Sequence, residues 1–329
     1  MPIDQNYLLN SNEDAQFLTC ITCNYYAILK FLGAANVSAA LAQNFYFEFR
    51  SNDLLDLSYS FEKHSNEENI SNWTGFASEV FHAQDVGDFL DCVEGKLQRD
   101  NPVLCFGNGF NMAWTPFYQK EDVEHSFIIT CYDRIEGRVQ IVDCYVNNTK
   151  YGKAVPVTCW IEVTLLDDIL RNVPGHTDYK LLYFVNGVKP GNIDQDAIAV
   201  IFKRTRDEYL AAVDQNIGLN RLINTLASRD GSKELITQLS LLFWLGLRSR
   251  EYYLRWLGKV YIDFPNLPLH GIIQQVEANI LPKWKKLNEI TFILSKRSER
   301  GIVSLEAVIE LMKSVYIDET RFVQYLELQ

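Results

Sequence analysis

A chain of 329 residues is too long for one small domain and suggests two. Hydrophobic residues at 47% against 22% charged can build a large core, which excludes a disordered or collagen-like chain. A formal net charge of −11 argues against nucleic-acid binding, which needs a basic surface to neutralise phosphates.

The opening stretch, residues 1–16, has no basic segment followed by an apolar run, so no secretory signal is expected. The richest apolar run, Leu239 to Leu247, is too short to span a bilayer. Seven cysteines are few for this length and odd in number, which suits thiols in a reducing cytoplasm better than a disulfide scaffold. The expectation is a cytoplasmic protein with no membrane contact.

Taken in chain order, the first informative segment is Cys20-Ile-Thr-Cys-Asn-Tyr-Tyr-Ala-Ile-Leu-Lys-Phe-Leu-Gly33. Ala27, Ile28, Phe31 and Leu32 mark one buried helical face, and Gly33 suits the left-handed position that ends a helix. Cys20 therefore opens a helix, where unpaired N–H groups and the positive end of the macrodipole favour thiolate over thiol. Cys23, one turn on, is the alternative nucleophile, further from that field. Small core packing is the other reading for both.

Further along, His125 to Asp133 predicts a strand, Arg134 to Gly137 a turn, and Gly137 to Asp143 the returning strand. His125 and Asp143 are an even number apart, so a symmetric hairpin pairing would put them on one face. A carboxylate beside an imidazole fixes its tautomer and stabilises its cationic form, as a base serving a thiol requires. Other β-rich runs lie at 102–106 and 179–185, and the Gly/Pro-containing stretch 186–192 predicts a linker.

Beyond the linker the spacing turns helical. From Gln195 onward there are 18 basic and 16 acidic residues, leaving 13 basic against 26 acidic before it. Leu235, Leu239, Leu242 and Leu245 line one stripe of a helix over 234–248, and 272–294 and 305–315 behave alike around a loop at Pro265 and Pro268. The predicted fold class is an α+β domain over 1–187, with a Cys helix packed on an antiparallel sheet, followed by an all-α domain over 188–329.

The order Cys, His, Asp on these elements resembles the papain-like cysteine peptidases. The 93–106 segment, leading from helix to strand, resembles the C39-like members of that group, and the Cys20 helix closing at Leu32-Gly33 with the aromatic-ended second helix at 38–49 is most similar to the butirosin biosynthesis acyltransferase family. Ile21-Thr22 stands where the peptidases often carry Gly-Pro, which weighs against a peptidase more than against a transferase. The resemblance spans roughly residues 1–185. It implies a papain-like catalytic domain with Cys20 as nucleophile, His125 as base and Asp143 as its orienting partner.

The implied activity is transfer of an acyl group from an acyl carrier protein, or another thioester donor, to a small-molecule amine in natural-product biosynthesis. A peptidase or amidohydrolase on the same triad is the first alternative and a non-catalytic papain-like binding module the second. An oxyanion hole needs the N–H of Cys20 and a side-chain donor, for which Gln16 is the candidate and Asn12 the reserve. Trp114, Phe110 and Asn108 suit a core or loop role better than a cleft. No metal or cofactor is expected, beyond phosphopantetheine as the carrier of the substrate. Basic clusters at Arg248, Arg250 and Arg255, at 283–286 and at 296–300 offer either a solvated face or a docking surface for an acidic carrier, and the helical domain a lid.

Overall fold

The computed structural model describes residues 3–10, 14–42, 45, 47–49, 59–60, 66–149, 151–173, 178–187 and 189–326. The protein is α+β and divides into two compact units, one formed by 1–41 and 67–191 and the other by 42–66 and 192–329.

The first unit is organised on a six-stranded sheet. Its strands run in the order Phe76–Ala83, Tyr179–Asn186, Val103–Asn108, Glu124–Asp133, Arg138–Asp143, Val157–Glu162. Every neighbouring pair is antiparallel. One face is covered by the helices Val86–Leu97 and Val163–Arg171, whose Phe89, Val93, Leu166 and Ile169 join Val103, Cys105, Phe127, Ile129, Ile141 and Leu181 in a single apolar core. The alternation along each strand sends Leu104, Ile128, Leu182 and Phe184 to the other face. There the helix Cys20–Phe31 packs, with Tyr25 edge-on to Phe184 at 5.5 Å.

That helix has clear boundaries. Thr19 caps it with a reciprocal pair, its hydroxyl accepting from the N–H of Thr22 at 3.3 Å while its own N–H donates to Thr22 Oγ1 at 2.9 Å. It ends at Gly33, φ +77°, where the Ala34 N–H reaches the Leu29 carbonyl and the Gly33 N–H the Lys30 carbonyl.

The second unit is helical: Gln195–Asp214, Leu219–Leu226, Lys233–Asp263, Leu269–Gln275, Leu281–Ser298 and Glu306–Gln324. A π-helical segment, Val276–Ile280, joins two of them where one long helix was expected. Leu235, Leu239 and Leu242 are buried as the stripe predicts, and Leu245 is half-buried. None of the described helices is long and apolar enough to cross a membrane.

The division departs from a continuous first domain over 1–187, because residues 42–66 pack with the helical unit. Phe45, Phe47 and Phe49 are buried, and Phe45 meets Phe322 at 4.7 Å and Tyr253 at 5.1 Å. The helix expected over 38–49 correspondingly stops at Ala42, and Glu48–Phe49 pairs with Tyr59–Ser60 as a short ribbon. Spacing could not separate these fates, since an aromatic every second residue suits either a strand or an insertion into a neighbouring core.

The expected basic surface is also altered. Arg250 is fully buried, paired with Glu319 through Nε at 2.8 Å and Nη2 at 3.0 Å, so it cannot face a partner. Lys283 bonds Ser314 and Asp318, and Arg248 sits 3.7 Å from Glu251. Helical periodicity explains the outcome. Arg248 and Arg255, seven apart, share a helix face, while Arg250, two from one and five from the other, turns to the opposite side, where an inward charge needs a buried acid.

Candidate active site

Three elements of the first unit meet at one end of the sheet, and their geometry begins with strand register. Near the turn, Asp133 pairs with Arg138 and Tyr132 with Val139. Continued unchanged, this register would set Asp143 opposite Ile128 and send it to the face away from His125. A β-bulge at Thr130 intervenes, after which Ile129 pairs with Ile141 and Ile128 with Val142. The one-residue shift places Asp143 across from Phe127, and so on the same face as His125 two residues before it. The result is a hydrogen bond of 2.7 Å between His125 Nε2 and Asp143 Oδ2, with both side chains buried.

The same register would bring Phe127 opposite Asp143 and then Ser126 opposite Cys144, but the paired ladder stops at Ile128 and Val142. Here the strands part, and the Asn24 carboxamide fills the fork. Its Nδ2 donates to the Ser126 carbonyl at 2.9 Å and to Ser126 Oγ at 3.1 Å, and its Oδ1 accepts from the Cys144 N–H at 3.0 Å. Asn24 thus ties the Cys20 helix to the residues that follow His125 and Asp143.

Cys20 occupies the first position of its helix and is half-buried. The His125 side chain and the Ser126 backbone lie close enough to its sulfur to act on its ionisation. Burial alone would push the thiol up, but the charge and hydrogen bond of His125 and the Ser126 contact outweigh it, leaving Cys20 below the ordinary cysteine value. His125 responds in the opposite sense. Burial pulls the imidazole down, and the charges and hydrogen bonds of Asp143 and Cys20 overcome that and raise it to about 10. An acidified thiol beside a basic imidazole favours the thiolate–imidazolium form of the two.

The surroundings hold this pair in place. Asp143 also accepts from Trp114 Nε1 through Oδ2 at 3.2 Å and from the Tyr145 N–H through Oδ1 at 3.0 Å. The imidazole lies between the rings of Tyr145 at 5.4 Å and Phe117 at 6.1 Å. Trp114, expected in a core or loop role, packs edge-on to Phe127 and also orients the carboxylate. Asn108 bonds Asp122, the Asn172 carbonyl and the Phe110 N–H, a structural tie, and Phe110 is exposed.

Cys23 is set apart from this arrangement. It is fully buried and donates to the Ala15 carbonyl at 3.2 Å. Burial first, then the neighbouring Cys144 and Cys20, raise it well above the ordinary value. Gln16 lies in the short 3₁₀ turn Ala15–Phe17 just before the helix and is exposed, and Asn12 lies outside the described residues. Among the described residues no group of three or more His, Cys, Asp or Glu side chains is placed to hold a metal ion.

No protein-family model and no curated protein matches this sequence.

Sequence reasoning missed Asn24 altogether. A signal was present, since Asn24 is polar, sits one turn after Cys20, and lies within the otherwise largely apolar run Cys23–Leu29. The bulge at Thr130 leaves no comparable trace, having no glycine or proline to mark it.

Proposed function

We propose that this chain is a cysteine acyltransferase whose first unit has a papain-like arrangement, acting in cytoplasmic natural-product biosynthesis. One observation carries the reading: a buried imidazole hydrogen-bonds Asp143 and has the thiol of a helix-opening cysteine as a close electrostatic neighbour. Buried His–Asp pairs are common structural features. A buried pair that also engages a thiol at a helix N-terminus is a nucleophile with its base and its orienting acid.

In this mechanism the Cys20 thiolate adds to the carbonyl carbon of an acyl thioester. The developing oxyanion is met by the Cys20 N–H, which at the first helical position has no acceptor within the helix, and by Gln16 as the side-chain donor. The carbon–sulfur bond to the donor breaks, and the departing thiolate takes the proton from the His125 imidazolium. An amine then attacks the acyl-cysteine, His125 accepts its proton, and Cys20 leaves as thiolate. Asp143 keeps the ring aligned through both steps. Ile21-Thr22 after the cysteine favours transfer over peptide cleavage. A carrier-protein phosphopantetheine thioester is the proposed donor, and a small-molecule amine the acceptor.

The test is to incubate the protein with a simple acyl thioester and a panel of amines and weigh protein and products. The expected result is an acyl adduct on Cys20 and an amide product, both lost in Cys20→Ala with a rate decrease of about a thousandfold or more. Free acid with no amide, whichever amine is supplied, would assign the triad to hydrolysis. An unchanged rate in Cys20→Ala would overturn the mechanism.

A further inference from the structure

The reactive-site helix carries a second thiol that the proposed chemistry does not use. Cys20 and Cys23 are three residues apart in one α-helix, which sets their Cα atoms about 5 Å apart. That lies within the range of about 4.4–6.8 Å that a disulfide spans. Their environments differ: Cys20 is half-buried at the mouth of the helix, and Cys23 is fully buried behind it. An outer thiol open to attack and an inner thiol one turn away is the arrangement of a redox-active pair.

We propose that Cys23 is a resolving thiol, so that when a hydroperoxide oxidises Cys20 the two residues close a reversible disulfide across the first turn of the helix. This rests on reading Cys20 as a reactive thiolate. In the first step the Cys20 sulfur attacks a peroxide oxygen, the O–O bond breaks, and with hydrogen peroxide the second oxygen leaves as hydroxide, giving a sulfenic acid. In the second step Cys23 turns from the Ala15 carbonyl, its sulfur displaces the hydroxyl group from the Cys20 sulfur, and its proton leaves with that group as water. Two thiols lose two electrons, and the peroxide gains them. A dithiol reductant reverses the change by exchange.

The two sulfurs are suited to these roles. His125 and the Ser126 contact favour the anion at Cys20, whereas burial keeps Cys23 protonated until a sulfenic acid forms beside it. Without the second thiol the sulfenic acid would advance to the sulfinic acid, which dithiols do not reduce. Cys144 is also close to Cys23 and is the competing partner.

The experiment treats the full-length protein with limiting hydrogen peroxide, blocks remaining thiols with iodoacetamide under denaturing conditions, and maps the peptides by mass. The expected product is a peptide bearing Cys20 and Cys23 that is lighter by two hydrogen atoms. Dithiothreitol should then restore most of the Cys20 labelling. In Cys23→Ser, which keeps the size of the side chain, Cys20 should appear as sulfinic acid and its recovery should fall at least about tenfold; Cys23→Ala serves as a second variant. Equal recovery in wild type and variant, or a disulfide mapped to Cys144, would overturn the proposal. The iodoacetamide rate of Cys20 in the untreated native protein separates the two readings. Fast labelling without the disulfide sinks only the resolving role, whereas labelling no faster than in the unfolded chain sinks the reactive thiolate as well.

Discussion

Asn24 shows how one side chain can hold in place others that it does not touch. It closes the fork by satisfying one carbonyl and one N–H that the parted strands leave over, one next to His125 and the other next to Asp143. Asn24→Ala should leave both unpaired and cost about 1–3 kcal/mol of stability, measured by urea unfolding. Its more specific effect should appear in the pH profile of Cys20 alkylation. If the helix loses its tie to Ser126, the sulfur loses its partners, and labelling at pH 7 should drop by about tenfold, the equivalent of one pKa unit. His125 makes a separate prediction. Its folded-state value is raised above the 6.5 of the free side chain, to about 10. The stability it contributes is therefore fully present below about 6.5 and is lost as pH rises through about 10. The difference in urea midpoint between wild type and His125→Gln should be large at pH 6 and shrink steadily towards pH 10.5.

Elements were legible where a local rule decides them. The thiol at a helix start and Gly33 at its end follow from capping chemistry, and the hairpin follows from two β-rich runs around a four-residue turn. The register between those runs was not legible. An even separation of His125 and Asp143 suggested a shared face, yet the turn imposes an odd register, and only the bulge at Thr130 restores the match. The choice is made by the core, because Phe127, Ile129 and Ile141 must point at the same helices as each other. Close packing between elements was hidden for a similar reason. Gly246, in the helix Lys233–Asp263, is buried, and a Cβ there would stand 2.2 Å from the Trp284 ring. Trp284 cannot yield, because its Nε1 donates to Glu319 Oε1 at 2.7 Å and its ring lies against the Arg250 guanidinium. Gly246→Ala should therefore destabilise the protein, by about 1–3 kcal/mol or more. An unchanged urea midpoint would show that the two helices can separate without penalty.

At the scale of the whole chain, one change of unit falls after 191, at the end of the Gly/Pro-containing stretch 186–192, and two others fall where no such signal stands. The chain enters the helical unit at residue 42, returns near 67, and enters again after 191. The segment 42–66 binds there by its aromatics. Phe45 lies over the Arg250 guanidinium at 4.7 Å, covering a fully buried ion pair, and the Phe49 N–H donates to the Ile217 carbonyl at 2.6 Å. Burying each phenylalanine is worth about 1.5–3 kcal/mol, so the segment and the helical unit depend on each other. Cutting the chain at the linker would break that dependence in both pieces. A fragment ending at Gly191 would carry Phe45, Phe47 and Phe49 with no core to enter, and one beginning at Asn192 would leave Arg250 and Glu319 with one side uncovered. The first fragment alone should be insoluble or aggregate on size-exclusion chromatography. Expressed together, the two should copurify as a soluble pair, because residues 42–66 can then find Tyr253 and Phe322. Recovery of the first fragment as a soluble monomer would mean that the three aromatics have another place to go.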